Sequence, residues 1–231
     1  MKIGLNLTGV SFNDGTNGGR YRNYLDSLNS FTNNVINPLI NIGNELSTYI
    51  FTYDSIEKDN ILKSYPNIKK YTFVSEDYNI FDGGVIVSPQ FKMQSVTYIN
   101  SLQQLIGEDL DIVVSTRFDI SFLKNPFEVY QYNFTKCNFL WREPEYHDFP
   151  LVNDTFIVFP HNMIETMIDC IVEMETSPPR GLNIGMHNFY IPLVNRVGKD
   201  KVQWLDDRFI GSLNDHRTPY ANDLYKIIRG E

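Results

Sequence analysis

The sequence is short of cysteine, of tryptophan and of positive charge. Two Cys occur in 231 residues, Cys137 and Cys170, and they have no metal-ligand spacing. That excludes a disulfide scaffold and a Cys-ligated zinc module, and it suits free thiols in a reducing compartment. Lys and Arg number 20 against 28 Asp and Glu, for a formal charge of −8 and a pI near 5.0. Nonspecific nucleic-acid binding needs a basic surface, so nucleic acid is not an expected partner. A local cationic pocket would stand out against this background. Long apolar runs are missing too. The opening Met1-Lys2-Ile3-Gly4-Leu5-Asn6-Leu7 is too short for a signal peptide, and no stretch approaches the ~20 apolar residues of a membrane span. The expected location is therefore the cytoplasm. No Gly-x-Gly-x-x-Gly, Gly-x-x-x-x-Gly-Lys-Ser/Thr or Gly-x-Ser-x-Gly segment occurs, which counts against dinucleotide, P-loop and serine-hydrolase chemistry.

What is present is a sizeable apolar complement. Hydrophobic residues make up 42% and aromatics 14%, mainly 16 Phe and 14 Tyr, as a packed enzyme core requires. The length suits a single domain over 1–231. Residues 2–7 read as a short apolar strand ending at Thr8-Gly9, followed by a Gly/Asn-rich stretch through Gly19. An open α/β sheet places its ligand loops at such a point. Leu25, Leu28, Val35, Ile36, Leu39 and Ile40 recur at helical spacing over 21–42, and Pro38 predicts a kink or break there. Strands are expected at 46–52 and 70–74, with a helix at 55–64 between them. Over 91–106, Val96, Ile99, Leu102, Leu105 and Ile106 predict an amphipathic helix, closed by Gly107. Asp111-Ile112-Val113-Val114-Ser115 has the continuous β-branched character of a central buried strand.

This β-α-β-α-β-α-β order implies an α/β fold with a Rossmann-like, mostly parallel sheet flanked by helices. The second half is less regular. Strands are expected at 138–141, 154–159 and 202–205, and helices at 162–174, 184–197 and 221–228, with a loop at Pro178-Pro179-Arg180-Gly181.

The chemistry centres on Thr116-Arg117-Phe118-Asp119, directly after the central strand. A carboxylate leaving the C-terminal edge of a parallel strand sits in the usual ligand crevice, where it can hold Mg²⁺ or Mn²⁺. The neighbouring Arg can neutralise phosphate or orient the Asp. By spacing alone, a strand-end ion pair explains the motif equally well.

Residues 94–122, and in particular Leu110-Asp111-Ile112-Val113-Val114-Ser115-Thr116-Arg117-Phe118-Asp119-Ile120-Ser121-Phe122, resemble the core of GT-A-type glycosyltransferases. These include enzymes of bacterial surface-polysaccharide clusters and capsid-decorating enzymes of large DNA viruses. The resemblance implies a GT-A-like single domain, with a nucleotide-sugar half at 1–122 and a mixed acceptor and catalytic half at 123–231. If the chain is viral, the location is the host cytoplasm. It also implies a UDP- or GDP-sugar donor, a glycan or glycoprotein acceptor, and a Mn²⁺ or Mg²⁺ cofactor. Asp119 stands where the family's Asp-x-Asp motif ends and inherits the metal role. Arg117 replaces the first Asp, and a guanidinium can carry part of the charge a metal would supply.

The resemblance extends to Thr8-Gly9, to Arg20 or Arg22 on the diphosphate, and to Tyr53 or Asp54 near the base. His216, in Asn214-Asp215-His216-Arg217, stands where such enzymes complete the metal site. Transfer through an oxocarbenium-like transition state needs a base for the acceptor hydroxyl. The candidates are Glu143, Glu145, Asp148, Asp154 and His187, with Asp154 and His187 favoured. Plentiful acids and the lack of an obvious nucleophile pair favour inversion. Trp141 and Trp204 read as core residues. The competing readings are a noncatalytic nucleotide-sugar-binding module and a metal-dependent phosphohydrolase using the Asp119 pocket.

Overall fold

A computed structural model describes residues 1–14, 21–42, 45–75, 92–146, 149–176, 189–209 and 221–228. In chain order these form β1 (Lys2–Gly9), β2 (Phe12–Asn13), β3 (Arg22–Asn23), α1 (Leu25–Phe31), α2 (Asn37–Ile42), β4 (Glu45–Tyr53), α3 (Lys58–Ser64) and β5 (Ile68–Val74). Then follow α4 (Lys92–Gln103), β6 (Ile112–Arg117), β7 (Ile120–Phe122), α5 (Pro126–Val129), β8 (Cys137–Tyr146), β9 (Phe149–Val152) and β10 (Phe156–Pro160). The described chain closes with α6 (Ile164–Thr176), α7 (Tyr190–Val197), β11 (Val202–Phe209), α8 (Ala221–Leu224) and β12 (Tyr225–Ile227).

The main sheet runs β11-β8-β10-β6-β1-β4-β5, with β9 pairing on β8. Pairs β1–β4, β1–β6, β4–β5 and β8–β11 are parallel, while β10 is antiparallel to both β6 and β8. The fold is thus α/β, with a mostly parallel sheet and a mixed second half. Among the described residues no helix is long and apolar enough to cross a membrane.

Strand β1 shows how the sheet divides its two faces. Ile3, Leu5 and Leu7 enter one buried cluster with Phe31, Val35, Leu39, Val114 and Phe122. The alternate residues look the other way, as the two-residue period of a strand requires. On that side a Cβ at Gly4 would lie 2.7 Å from Leu110 Cδ1, and Asn6 Nδ2 donates to Ser101 Oγ of α4 (2.9 Å) and to Ser115 Oγ of β6 (3.0 Å).

Several local expectations are corrected. Pro38 does not break the helix. The helix stays continuous through a π turn at Thr32–Ile36, in which the Asn37 N–H bonds to Thr32 O. Pro lacks an N–H and its ring crowds the carbonyl four residues back, and widening the turn by one residue relieves both problems.

Helix α4 is not amphipathic. Ser95, Val96, Thr97, Tyr98, Ile99, Asn100, Ser101 and Leu102 are all buried, while Ile106 is exposed. Its polar side chains tolerate burial because they bond locally: Asn100 Nδ2 to Val96 O (2.8 Å) and Ser101 Oγ to Tyr98 O (2.7 Å). Ser95 Oγ donates across to Glu175 of α6. The helix ends at Gln103, short of the expected 106, and Gly107, at φ 80°, closes the turns that follow it.

The expected helix over 221–228 is one short helical turn followed by a strand. β12 pairs antiparallel with β7 in the register Tyr225↔Phe122, Lys226↔Ser121 and Ile227↔Ile120. Asp154 does not open a strand; it lies in the loop between β9 and β10.

Candidate functional site

The parallel strands β1, β4 and β6 end on one sheet edge, and β10 begins there because it runs the opposite way. Thr8 is the Cα partner of both Arg117 and Phe51, and Gly9 pairs with Thr52. Gly9 takes φ 95°, beyond the reach of most L-residues, and turns the chain out of the sheet. Thr52 fastens that turn, with Oγ1 donating to Gly9 O (2.7 Å) and accepting from the Ser11 N–H (3.2 Å).

The turn after β6 is held from three sides. Phe118 is buried, edge-on to Tyr65 at 5.8 Å between centroids. Ser27 Oγ of α1 donates to Phe118 O (2.6 Å), and the Ile228 N–H donates to Asp119 O (2.8 Å). With Phe118 anchored in the core, its two neighbours are free to meet. Arg117 donates through Nε to Asp119 Oδ1 (2.9 Å) and through Nη2 to Asp119 Oδ2 (2.7 Å). Arg117 Nη1 also lies 3.6 Å from Asp154 Oδ2, and Arg22 Nε lies 3.4 Å from Asp119 Oδ2. Side-chain exposure is 8% for Asp119 and 21% for Arg117, and 2% for Asp154.

Burial disfavours a charged guanidinium. The adjacent Asp119 and Asp154 carboxylates more than offset that, and they hold Arg117 above its ordinary proton affinity. Arg117 therefore stays a fixed cation. A guanidinium has five N–H donors, and two are spent on Asp119. The Thr8 hydroxyl beside it is buried and has no hydrogen-bond partner among the described residues.

Gln94 of α4 donates to Asp154 Oδ2. The loop carrying Asp154 rests on Tyr225, whose hydroxyl accepts from Asn153 Nδ2 (3.2 Å) and lies 2.8 Å from Thr155 Oγ1. Tyr225 itself stacks on the buried Trp141 at 5.3 Å and 13°.

Thr8, Gly9, Arg22, Arg117, Asp119 and Asp154 thus share one sheet edge. Tyr53 borders it from β4. Its hydroxyl lies 3.4 Å from Thr97 Oγ1, and burial raises its proton affinity against the lowering effect of that contact. Asp54 does not join the cluster. It is exposed, and its Oδ1 accepts from the next residue's N–H at 3.1 Å. Arg20, Asp148, His187 and His216 lie outside the described residues, as do the side chains of Glu143 and Glu145. Trp204 is partly buried against Phe139 and Tyr190.

Sequence reading passed over Gln94, Asn153, Thr155 and Tyr225 as site residues. For Tyr225 a signal existed, because Tyr225-Lys226-Ile227 alternates as a strand does.

The fit of a divalent cation can be judged on this donor set. Among the described residues no group of three or more His, Cys, Asp or Glu side chains could hold a metal ion. Both Asp119 oxygens are already bonded to Arg117. Mn²⁺ or Mg²⁺ would therefore find no ready-made cage among the described residues, and it could reach Asp119 only if Arg117 gave way.

No family model matches the sequence, and no curated protein matches it. Among solved structures, the chain is similar to the nucleoside-diphosphate-sugar pyrophosphorylase of Vibrio cholerae RC9, at 9% identity and a TM-score of 0.49, over 91% of this chain and 92% of that one. Likeness at that level leaves the chemistry to be argued from the residues.

Proposed function

We propose that the chain is a glycosyltransferase acting on a UDP- or GDP-linked sugar, transferring it with inversion to a hydroxyl of a glycan or glycoprotein. The observation that carries this reading is the buried cluster of Arg22, Arg117, Asp119 and Asp154 at the sheet edge, beside the unpartnered Thr8 hydroxyl. Fixed cations and a free hydroxyl donor at the end of a parallel sheet suit a diphosphate.

In the transfer, the acceptor oxygen bonds to the anomeric carbon. The bond from that carbon to the diphosphate oxygen breaks, and its electron pair leaves with the diphosphate. Arg117 and Arg22 offset the charge that develops there. The acceptor proton passes to a carboxylate. Asp119 suits that task poorly, because it receives two hydrogen bonds from Arg117 and a further contact from Arg22. Asp154 accepts from the neutral Gln94 amide and meets the Arg117 guanidinium at ion-pair range, without the two-point hydrogen bonding that holds Asp119, which supports it as the base. His187 is the second candidate, and Tyr53 is the candidate ring for the nucleotide base.

Titration calorimetry with UDP- and GDP-sugars, paired with product analysis on a broad acceptor panel, tests the proposal. Binding and turnover are expected in wild type, and both are expected to be lost in Asp119→Ala. No nucleotide-sugar binding, together with an Asp119→Ala variant that keeps every activity, would sink it. Tight binding without turnover would favour a binding module, and phosphate release from simple esters a phosphohydrolase. Proton NMR of the product's anomeric centre reads the stereochemistry.

A further inference from the structure

We propose that the Arg117 guanidinium stands in for the divalent cation at this site, so that the donor diphosphate binds without a metal ion. The inference rests on the nucleotide-sugar reading above and adds a statement about how the site is charged.

Arg117 and Asp119 flank the buried Phe118 at the end of β6. The Arg117 guanidinium bridges the two carboxylates at the sheet edge, hydrogen-bonding Asp119 through Nε and Nη2 and reaching to 3.6 Å from Asp154 Oδ2 through Nη1. Two carboxylates from separate segments gathered around one cation is the arrangement a bridging metal would make.

Divalent ions of this class take carboxylate oxygens at about 2.0–2.2 Å. An ion at that range from Asp119 would displace the guanidinium from its bidentate partner and leave it beside a double positive charge. The cost would be high at a site where Asp119 is 8% exposed and Asp154 2%.

The two guanidiniums of Arg22 and Arg117 against two carboxylates leave the cluster neutral. An acid in place of Arg117 would lower that charge by two, and one divalent cation would restore it. A diphosphate would therefore meet equivalent electrostatics with no ion added.

The Arg117 guanidinium still has donors to offer a ligand. Two of its five donors go to Asp119, and the other three have no hydrogen-bond acceptor among the described residues. They lie on the strand position paired with Thr8, whose buried hydroxyl is also unpartnered among the described residues. Phosphate oxygens would satisfy both groups, and a planar fork suits them better than a point charge does.

The test begins with Mn²⁺ alone. Electron paramagnetic resonance titration of the chelator-treated full chain is expected to find no stoichiometric Mn²⁺ site. Arg117→Asp, which recreates Asp-x-Asp, is expected to gain one, and adding Asp119→Asn is expected to remove it. One Mn²⁺ per wild-type chain, abolished by Asp119→Asn, would overturn the inference whatever the variants do. Calorimetry with UDP and GDP then compares excess EDTA with excess Mn²⁺. The affinity of wild type is expected to differ by less than about threefold, and nucleotide binding that requires Mn²⁺ would equally overturn the inference. If neither nucleotide binds in either buffer, the functional reading falls instead, while the Mn²⁺ titration still decides the role of Arg117.

Discussion

Asp119 accepts two hydrogen bonds from a single guanidinium, from Arg117 Nε at 2.9 Å and from Arg117 Nη2 at 2.7 Å. The two residues are only two apart in sequence, so their meeting depends on the residue between them. Phe118 is buried against Tyr65, and its carbonyl is tied to Ser27 of α1. The aromatic core beneath the sheet edge thereby sets the geometry of the charged pair above it.

Removing one member of that pair strands the other. Asp119→Asn is expected to destabilise the fold by roughly 3 kcal/mol, because a partly buried Arg117 loses its counter-charge. For a chain of this size the melting temperature should fall by roughly 6–12 °C. The double variant Arg117→Met, Asp119→Leu is expected to recover most of that loss while remaining inactive. Paired thermal melts and transfer assays check both statements. An Asp119→Asn variant as stable as wild type would show that the pair is solvated more than its burial implies.

A second charged contact, remote from the site, gives a pH dependence. Glu108 is held below its ordinary value of 4.5, first by the hydrogen bond from Lys70 and then, against the opposing effect of burial, by the Tyr49 hydroxyl. A depressed carboxylate contributes stability above its unfolded value and loses it as pH falls through the folded value. The advantage of wild type over Glu108→Gln should be full above pH 4.5 and should vanish as pH drops below the depressed value. Urea midpoints of both proteins from pH 7 downward measure this. A stability gap that does not change across the range would refute it.

The parallel half was legible because its signals are local. The β-branched run at Ile112-Val113-Val114 and the glycine at 107 each report on their own backbone: the strand stands there, and the glycine takes a positive φ in the turns after α4. The apolar run at 2–7 and the run at 111–115 also place Thr8 and Arg117 at strand ends, from which a shared edge follows. The amphipathic expectation fails for α4 because apolar periodicity says nothing about whether Ser95, Thr97 and Ser101 are buried too. The support from Tyr225 was missed for a similar reason. Its ring reaches the Asp154 loop only because β12 returns to pair with β7, a contact between residues about a hundred positions apart.

That return contact can be tested directly. The Tyr225 hydroxyl accepts from Asn153 Nδ2 and lies beside Thr155 Oγ1, on either side of Asp154. Tyr225→Phe keeps the ring stacked on Trp141 but removes this support. It is expected to cost about 1–2 kcal/mol of stability and to lower kcat more than it raises KM, since Asp154 would be misoriented and not removed. Unchanged kcat with a raised KM would assign Tyr225 to donor binding instead.

Thr8 separates stability from function most cleanly. Its hydroxyl is buried and has no hydrogen-bond partner among the described residues, so in the free protein it carries a desolvation cost with no return. Thr8→Val replaces the hydroxyl with a methyl group of similar size. Removing an unsatisfied buried polar atom is neutral or stabilising, so the melting temperature should hold or rise slightly. If the hydroxyl serves a phosphate oxygen, the same change removes one donor from the ligand. The affinity for UDP or GDP should then fall by about tenfold, equivalent to about 1.4 kcal/mol. Melting curves and calorimetry on one preparation read both sides. A variant that loses stability while binding nucleotide normally would assign Thr8 to the fold and remove it from the site.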